Sequence, residues 1–147
     1  MLAKSHGETA PVRLGQSGED YLEAVLVLGR EKRAVRVKDI ANRLGVSRPS
    51  VVAALAKLER QGMLRHEPYG AVELTEDGMR LARSVDRRHR LLFRFLHDTL
   101  GLPSGKASAE ACALEHALSS ETTARLLLLV GERGRRRPHK ERTSRAG

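Results

Sequence analysis

The stretch from Val37 to Leu58 constrains this chain more than any other. Val37 to Leu44 reads as a short amphipathic helix with Ile40, Ala41 and Leu44 turned inward, and Gly45 stands where a helix ends in the left-handed conformation. Val46 is then expected to pack down. Ser47 caps a second helix with Pro49 in its first turn, where a missing N–H is harmless, and Val51, Ala54, Leu55 and Leu58 form its buried stripe. Two short helices joined by a tight glycine-containing turn make a helix-turn-helix. The second helix turns Arg48, Ser50, Ala53 and Lys57 outward. Small side chains there let a helix enter the major groove and meet base edges and thymine methyls, while Arg48 can reach a guanine or a phosphate. Lys38, Ser47 and Pro49 join them as candidate DNA contacts. A helical hairpin with no DNA role is the plainer reading, but Leu64–Glu67, a turn at Pro68-Tyr69-Gly70, and Ala71–Leu74 follow as a short hairpin. That is a wing, and Arg65 on it can meet a phosphate or stay solvated.

Upstream, Ser17 reads as the cap of a first helix, with Tyr21, Leu22, Val25, Leu26 and Leu28 at helical spacing to about Gly29. Asp20 and Glu23 lie one turn apart on its flank. By themselves they are a capping-box acid and a surface charge. A basic connector, Arg30 to Arg33, and an extended Ala34-Val35-Arg36 lead into the helix-turn-helix. Downstream, Thr75 caps a long helix to about Leu100, too long to belong to the winged helix alone, with His89 in its middle. After the break Gly101–Gly105 comes a helix ending near Leu118 that bears Cys112, Glu115 and His116. If helical, these three are three and four apart and share a face. Thiolate, carboxylate and imidazole are metal-ligand types, although a buried Cys beside a solvated Glu-His pair is the plainer reading. Ser119 or Ser120 caps a last helix from Glu121 to Val130, whose run Leu126–Val130 is apolar nearly all round and points to burial across a subunit interface.

Length and charge bound the rest. With 147 residues the chain suits one or two small domains. It has no apolar run of membrane-spanning length and no apolar core of signal-peptide length at its start. A single cysteine rules out an intrachain disulfide and fits a reducing cytoplasm. The net charge of +9 favours polyanion partners, yet residues 131–147 hold seven Lys/Arg against two Asp/Glu, so much of it lies in a tail. The expected organisation is a flexible arm (1–16), a winged-helix domain (17–75), a helical domain (76–130) and a disordered basic tail (131–147). The fold class is mainly α with a small β wing.

Gly18-Glu19-Asp20-Tyr21-Leu22-Glu23, the helix-turn-helix from Asp39 to Val51, Arg88-His89-Arg90-Leu91-Leu92, and Glu110-Ala111-Cys112-Ala113-Leu114-Glu115-His116 occur in one order. Together they resemble the diphtheria-toxin-repressor and manganese-transport-regulator family of metal-dependent repressors, over about residues 17 to 130. The resemblance implies a homodimer in which the winged helix is joined by the long helix to a metal-binding and dimerisation domain. It implies a ligand set of Asp20, Glu23, His89, Cys112, Glu115 and His116. The acidic pair is similar to the manganese branch and the Cys to the iron-responsive branch, so the set is a hybrid. The ancillary site of the iron branch is not expected, because Phe93 and Ser108 stand at its positions, and neither is the SH3-like domain of longer members. Ala53 stands where some members carry a glutamine near the bases.

The function so implied is a cytoplasmic repressor that binds a palindromic operator in double-stranded DNA. Its effector is Mn(II) or Fe(II), other divalent transition metals binding in vitro, and it controls metal-homeostasis genes. It is not an enzyme, takes no small-molecule substrate and engages no membrane. A winged-helix regulator without metal sensing is the alternative. A two-metal hydrolase lacks a plausible substrate pocket.

Overall fold

The computed structural model describes residues 16–135, which divide into two compact units at Ser84/Val85. The first unit contains α1 (Gln16–Glu31), α2 (Val37–Leu44), α3 (Arg48–Arg60), β1 (Leu64–His66), β2 (Val72–Leu74) and the start of α4 (Glu76–Arg94). One core holds it together. Tyr21, Leu22, Val25 and Leu28 of α1 lie on one stripe and meet Ile40 and Ala41 of α2, Val51, Leu55 and Leu58 of α3, Leu64 and Val72 of the hairpin, and Ala82 of α4. Each fully buried side chain of this kind contributes about 1.5–3 kcal/mol through the water it leaves, so Leu22, Ile40 and Leu55 are the heaviest contributors.

The turn between α2 and α3 forms as its residues dictate. Gly45 takes φ 66° and its amide donates to the Ala41 carbonyl. Ser47 Oγ accepts from the Ser50 amide at 3.3 Å, and Pro49 sits in the first turn of α3. At the start of α2 the Arg36 amide donates to Asp39 Oδ2 at 3.0 Å, and Lys32 Nζ lies 3.0 Å from Asp39 Oδ1. Thr75 Oγ1 accepts from the Gly78 amide at 3.1 Å, capping α4, and donates to the Gly62 carbonyl at 2.6 Å. Gly78 is required here, because a Cβ at this position would lie 1.8 Å from the Met63 carbonyl oxygen.

β1 and β2 pair antiparallel with Arg65 opposite Glu73, and Val35 bridges to Val72 on the other side of β2. The extended Ala34-Val35-Arg36 segment thus flanks the two-stranded sheet through this single bridge. Several expectations need correction. Ser17 lies inside α1, which runs two residues past Gly29. Val46 does not pack down but is exposed, since the turn places it outside the core.

The second unit begins at Val85 and comprises the rest of α4, a π-helical turn (Phe95–Thr99), α5 (Ser104–Leu114) and α6 (Ser120–Arg135). The long helix is therefore α-helical only to Arg94. The Leu100 amide reaches back five residues to the Phe95 carbonyl at 3.0 Å, and the His97 ring bonds the Leu102 carbonyl at 2.8 Å, which closes this end. Leu92, Leu96, Ala107 and Ala111 form the core, with Leu102, Leu118 and Leu126 against it. α5 ends at Leu114, short of the expected Leu118, because a turn at residues 115–117 precedes Leu118 as it packs on that core. Ser119 Oγ caps α6 by accepting from the Thr122 amide at 3.1 Å. α6 continues to Arg135, so residues 131–135, expected in the tail, are helical. Gln16, expected in the arm, begins α1, and the rest of the arm (1–15) and of the tail (136–147) lie outside the described residues. Among the described residues, no helix is long and apolar enough to cross a membrane.

Candidate metal centre and DNA-reading face

Ala107, Ala111 and Glu115 recur every fourth residue along one stripe of α5 and its cap, and all three are fully buried. The first two are small enough for close helix packing; the third brings a carboxylate into the core. Glu115 sits at the C-cap with its amide bonded to the Ala111 carbonyl. Its Oε2 lies 2.8 Å from His89 Nδ1 on α4. Its Oε1 lies 3.3 Å from His116 Nε2, at an angle that makes no hydrogen bond. A buried carboxylate costs several kcal/mol unless it is paired and its lone pairs are satisfied. Glu115 is thus half satisfied, with one oxygen committed to an imidazole and the other turned toward a second imidazole without bonding it.

That donor set fits a divalent transition metal. An anionic oxygen between two imidazoles suits manganese, iron or zinc, and the unsatisfied Oε1 is an atom that a cation would supply with a partner. Of the residues singled out in the sequence, the second unit brings together His89, Glu115 and His116. Cys112, one turn before Glu115, is on the exposed side of α5. Glu115 and His116 lie in the turn beyond α5, not inside a helix carrying all three. In the first unit Asp20 and Glu23 lie one turn apart on α1, half-buried at the margin of the stripe formed by Tyr21, Leu22 and Val25.

On the first unit, Lys38, Ser47, Arg48, Pro49, Ser50, Ala53, Lys57 and Arg65 are all exposed. The Ser47 and Ser50 hydroxyls lie 2.8 Å apart, so capping and any DNA contact draw on the same atoms. Two features escaped sequence reasoning. Val52 is exposed on α3, four residues after Arg48, and adds an apolar surface suited to a thymine methyl; helical spacing from Arg48 marks it. The wing is also tied near its tip, by Glu59 Oε1 accepting from the His66 amide at 3.2 Å and by Arg36 Nη1 donating to the Tyr69 carbonyl at 3.0 Å. The Arg36–Tyr69 bond spans 33 residues and has no local signal.

Comparisons with known proteins bear on both regions. Residues 13–72 match the family model described as iron dependent repressor, N-terminal DNA binding domain. Residues 75–143 match iron dependent repressor, metal binding and dimerisation domain. The chain is 40% identical over 119 residues to an uncharacterised HTH-type transcriptional regulator of Methanocaldococcus jannaschii, covering 80% of this chain and 94% of that one. It is 40% identical over 112 residues to the iron-dependent repressor IdeR of Mycobacterium tuberculosis, covering 76% and 49%. A solved manganese-dependent transcriptional repressor in complex with manganese superposes with a TM-score of 0.72 at 37% identity, covering 78% of this chain and 52% of that one. The chain therefore spans about half the length of the iron- and manganese-dependent repressors it matches.

Proposed function

Because the chain belongs to the iron-dependent repressor family, we propose that it is a metal-dependent DNA-binding repressor whose effector is Mn(II) or Fe(II). It acts in the cytoplasm as a homodimer on a palindromic operator and controls metal-homeostasis genes; it is a regulator and not an enzyme. The observation that carries this reading is Glu115, a fully buried carboxylate that touches His89 and His116 and leaves Oε1 without a hydrogen bond.

The proposed ligands are Asp20, Glu23, His89, Cys112, Glu115 and His116. Two belong to the unit that carries the reading helix and four to the other. A cation taken by ligands from both groups relieves the repulsion within the acidic pair Asp20 and Glu23 and restricts how the winged helix moves. A twofold dimer can enter successive major grooves only if its two α3 helices are held roughly 34 Å apart, so restricting that motion favours the operator-bound state. The coupling is expected to be on the order of 1–3 kcal/mol, and by reciprocity operator DNA tightens metal binding. Carboxylates and imidazoles suit manganese and iron, while the thiol draws later metals such as zinc in vitro.

Operator binding followed against added Mn(II) and Fe(II), at fixed salt because phosphate contacts make affinity salt-dependent, tests the reading. Metal is expected to raise affinity in the wild type and not in His116→Ala. Equal binding with and without metal in both proteins would leave a winged-helix regulator without metal sensing.

A further inference from the structure

The wing reverses at Glu67-Pro68-Tyr69-Gly70, closed by the Gly70 amide donating to the Glu67 carbonyl at 2.8 Å. Proline at the second position followed by a positive φ at the third is the pattern of a type II turn, whose third position takes glycine or asparagine. Here it is Tyr69, at φ 59°, the one non-glycine residue with positive φ among the described residues. A side chain with a Cβ is strained in that region.

The ring returns nothing to the fold that bears this strain. Tyr69 is 99% exposed. Among the described residues its side chain makes no hydrogen bond or ring contact; only its carbonyl is used, by Arg36. Any residue at position 69 would present that carbonyl. A large aromatic held in an unfavourable backbone conformation without internal contacts has its use outside the chain.

We infer that Tyr69 is a positioning contact on operator DNA: its hydroxyl donates to a phosphate oxygen and its ring lies against the deoxyribose edge, flanking the bases met by α3. This rests on the DNA-binding function proposed above. The Arg36–Tyr69 and Glu59–His66 bonds fix the hairpin to the helix-turn-helix, so the ring is presented at a set distance from α3. Arg36, which bonds the Tyr69 carbonyl, and Arg65 are both exposed and put two guanidinium groups on the wing beside Glu67 and Glu73, and the DNA-binding function proposed above makes a phosphate backbone the partner to test. Backbone contacts of this kind set register and orientation without reading sequence.

Duplexes selected from a randomised pool by the Mn(II)-loaded wild-type protein serve as the probe. Tyr69→Asn and Tyr69→Gly relax the turn, and Tyr69→Phe removes only the hydroxyl. The Asn and Gly variants are expected to melt at or above the wild-type temperature. They should nevertheless bind the selected duplex about 5–10-fold more weakly, in line with the loss of a contact of ordinary strength, and lose hydroxyl-radical protection of the flanking sugars. The Phe variant is expected to lose at least about 2–3-fold. Because a neutral side chain displaces no counterions, the salt slope should be the same in all. Wild-type affinity and footprint in Tyr69→Gly would overturn the inference and point to a protein partner for the ring. So would a lowered melting temperature in Tyr69→Asn, since the ring would then be holding the fold. If the wild type selects no duplex, the DNA-binding function itself fails; if it does and the Tyr69→Gly footprint is unchanged, only the role of Tyr69 does.

Discussion

Glu115 Oε2 and His89 Nδ1 lie 2.8 Å apart, joining the C-cap of α5 to the middle of α4 through a side chain with no exposure to solvent. The pair commits one carboxylate oxygen and leaves the other without a hydrogen bond, where the proposed cation would bind. Glu115→Gln keeps the shape and removes the charge. It is expected to weaken metal binding by at least about 10-fold, roughly 1.4 kcal/mol. The metal-free variant should be as stable as the wild type or more so, because a half-satisfied buried charge has been removed. Calorimetric titration with Mn(II) and thermal melts with and without metal check both halves. A stability loss with metal binding intact would make Glu115 a structural residue.

Asp39 links stability to pH. The Arg36 amide, then Lys32, hold its carboxyl below the usual carboxylate range. A depressed folded-state pKa contributes stability that is fully present above the unfolded value, near pH 4, and is lost as pH falls through the lower folded value. Asp39→Asn is therefore expected to cost about 1 kcal/mol at pH 7 and progressively less below pH 4, measured by urea unfolding across that range. A cost independent of pH would rule out the charge as its source.

α6 exposes Leu127, Leu128 and Leu129, at 57%, 67% and 42%. Adjacent exposed leucines on one helix are a surface that a second copy of the chain would cover. Leu128→Lys is expected to shift sedimentation equilibrium toward monomer by at least about 10-fold in the dimer constant, since a burial worth about 1.5–3 kcal/mol is lost on each side. Its metal-free monomer should remain folded. An unchanged constant would place the interface elsewhere.

Arg48, exposed at the first position of α3, separates phosphate contact from base reading. If it meets a phosphate, Arg48→Ala weakens binding to all duplexes alike and lowers the salt slope by about 1. If it meets a guanine, specificity at one position relaxes instead, by about 1–3 kcal/mol. Affinity for matched and mismatched duplexes at several salt concentrations distinguishes the two.

Local signals made the helix-turn-helix legible, because Gly45, Ser47 and Pro49 each act on their own backbone and the stripe Val51, Leu55, Leu58 repeats at the helical period. The parts that were not legible depend on distant partners. Nothing near Glu115 marks the end of α5, where Ala117 and Leu118 are good helix formers; the packing of Leu118 on the Leu92 core takes it out of the helix. The π-turn at Phe95–Thr99 follows an unbroken apolar pattern and shows only in the five-residue reach of the Leu100 amide. The Val35–Val72 bridge joins residues far apart in sequence. At the metal centre the residue types were readable, but the burial of Glu115 was not. Its place in line with Ala107 and Ala111 is a signal that four-residue spacing could have supplied.

The Met63 carbonyl occupies the place a Cβ of residue 78 would take, which makes position 78 a site of near-zero mutational freedom. In a saturation library selected for folded protein, every codon there that encodes a side chain should be depleted, alanine included. The depletion should persist without metal or DNA, because the clash belongs to the seam between the wing and the helix that follows it. A lineage could then drift at exposed Val46 and stay locked at this buried position.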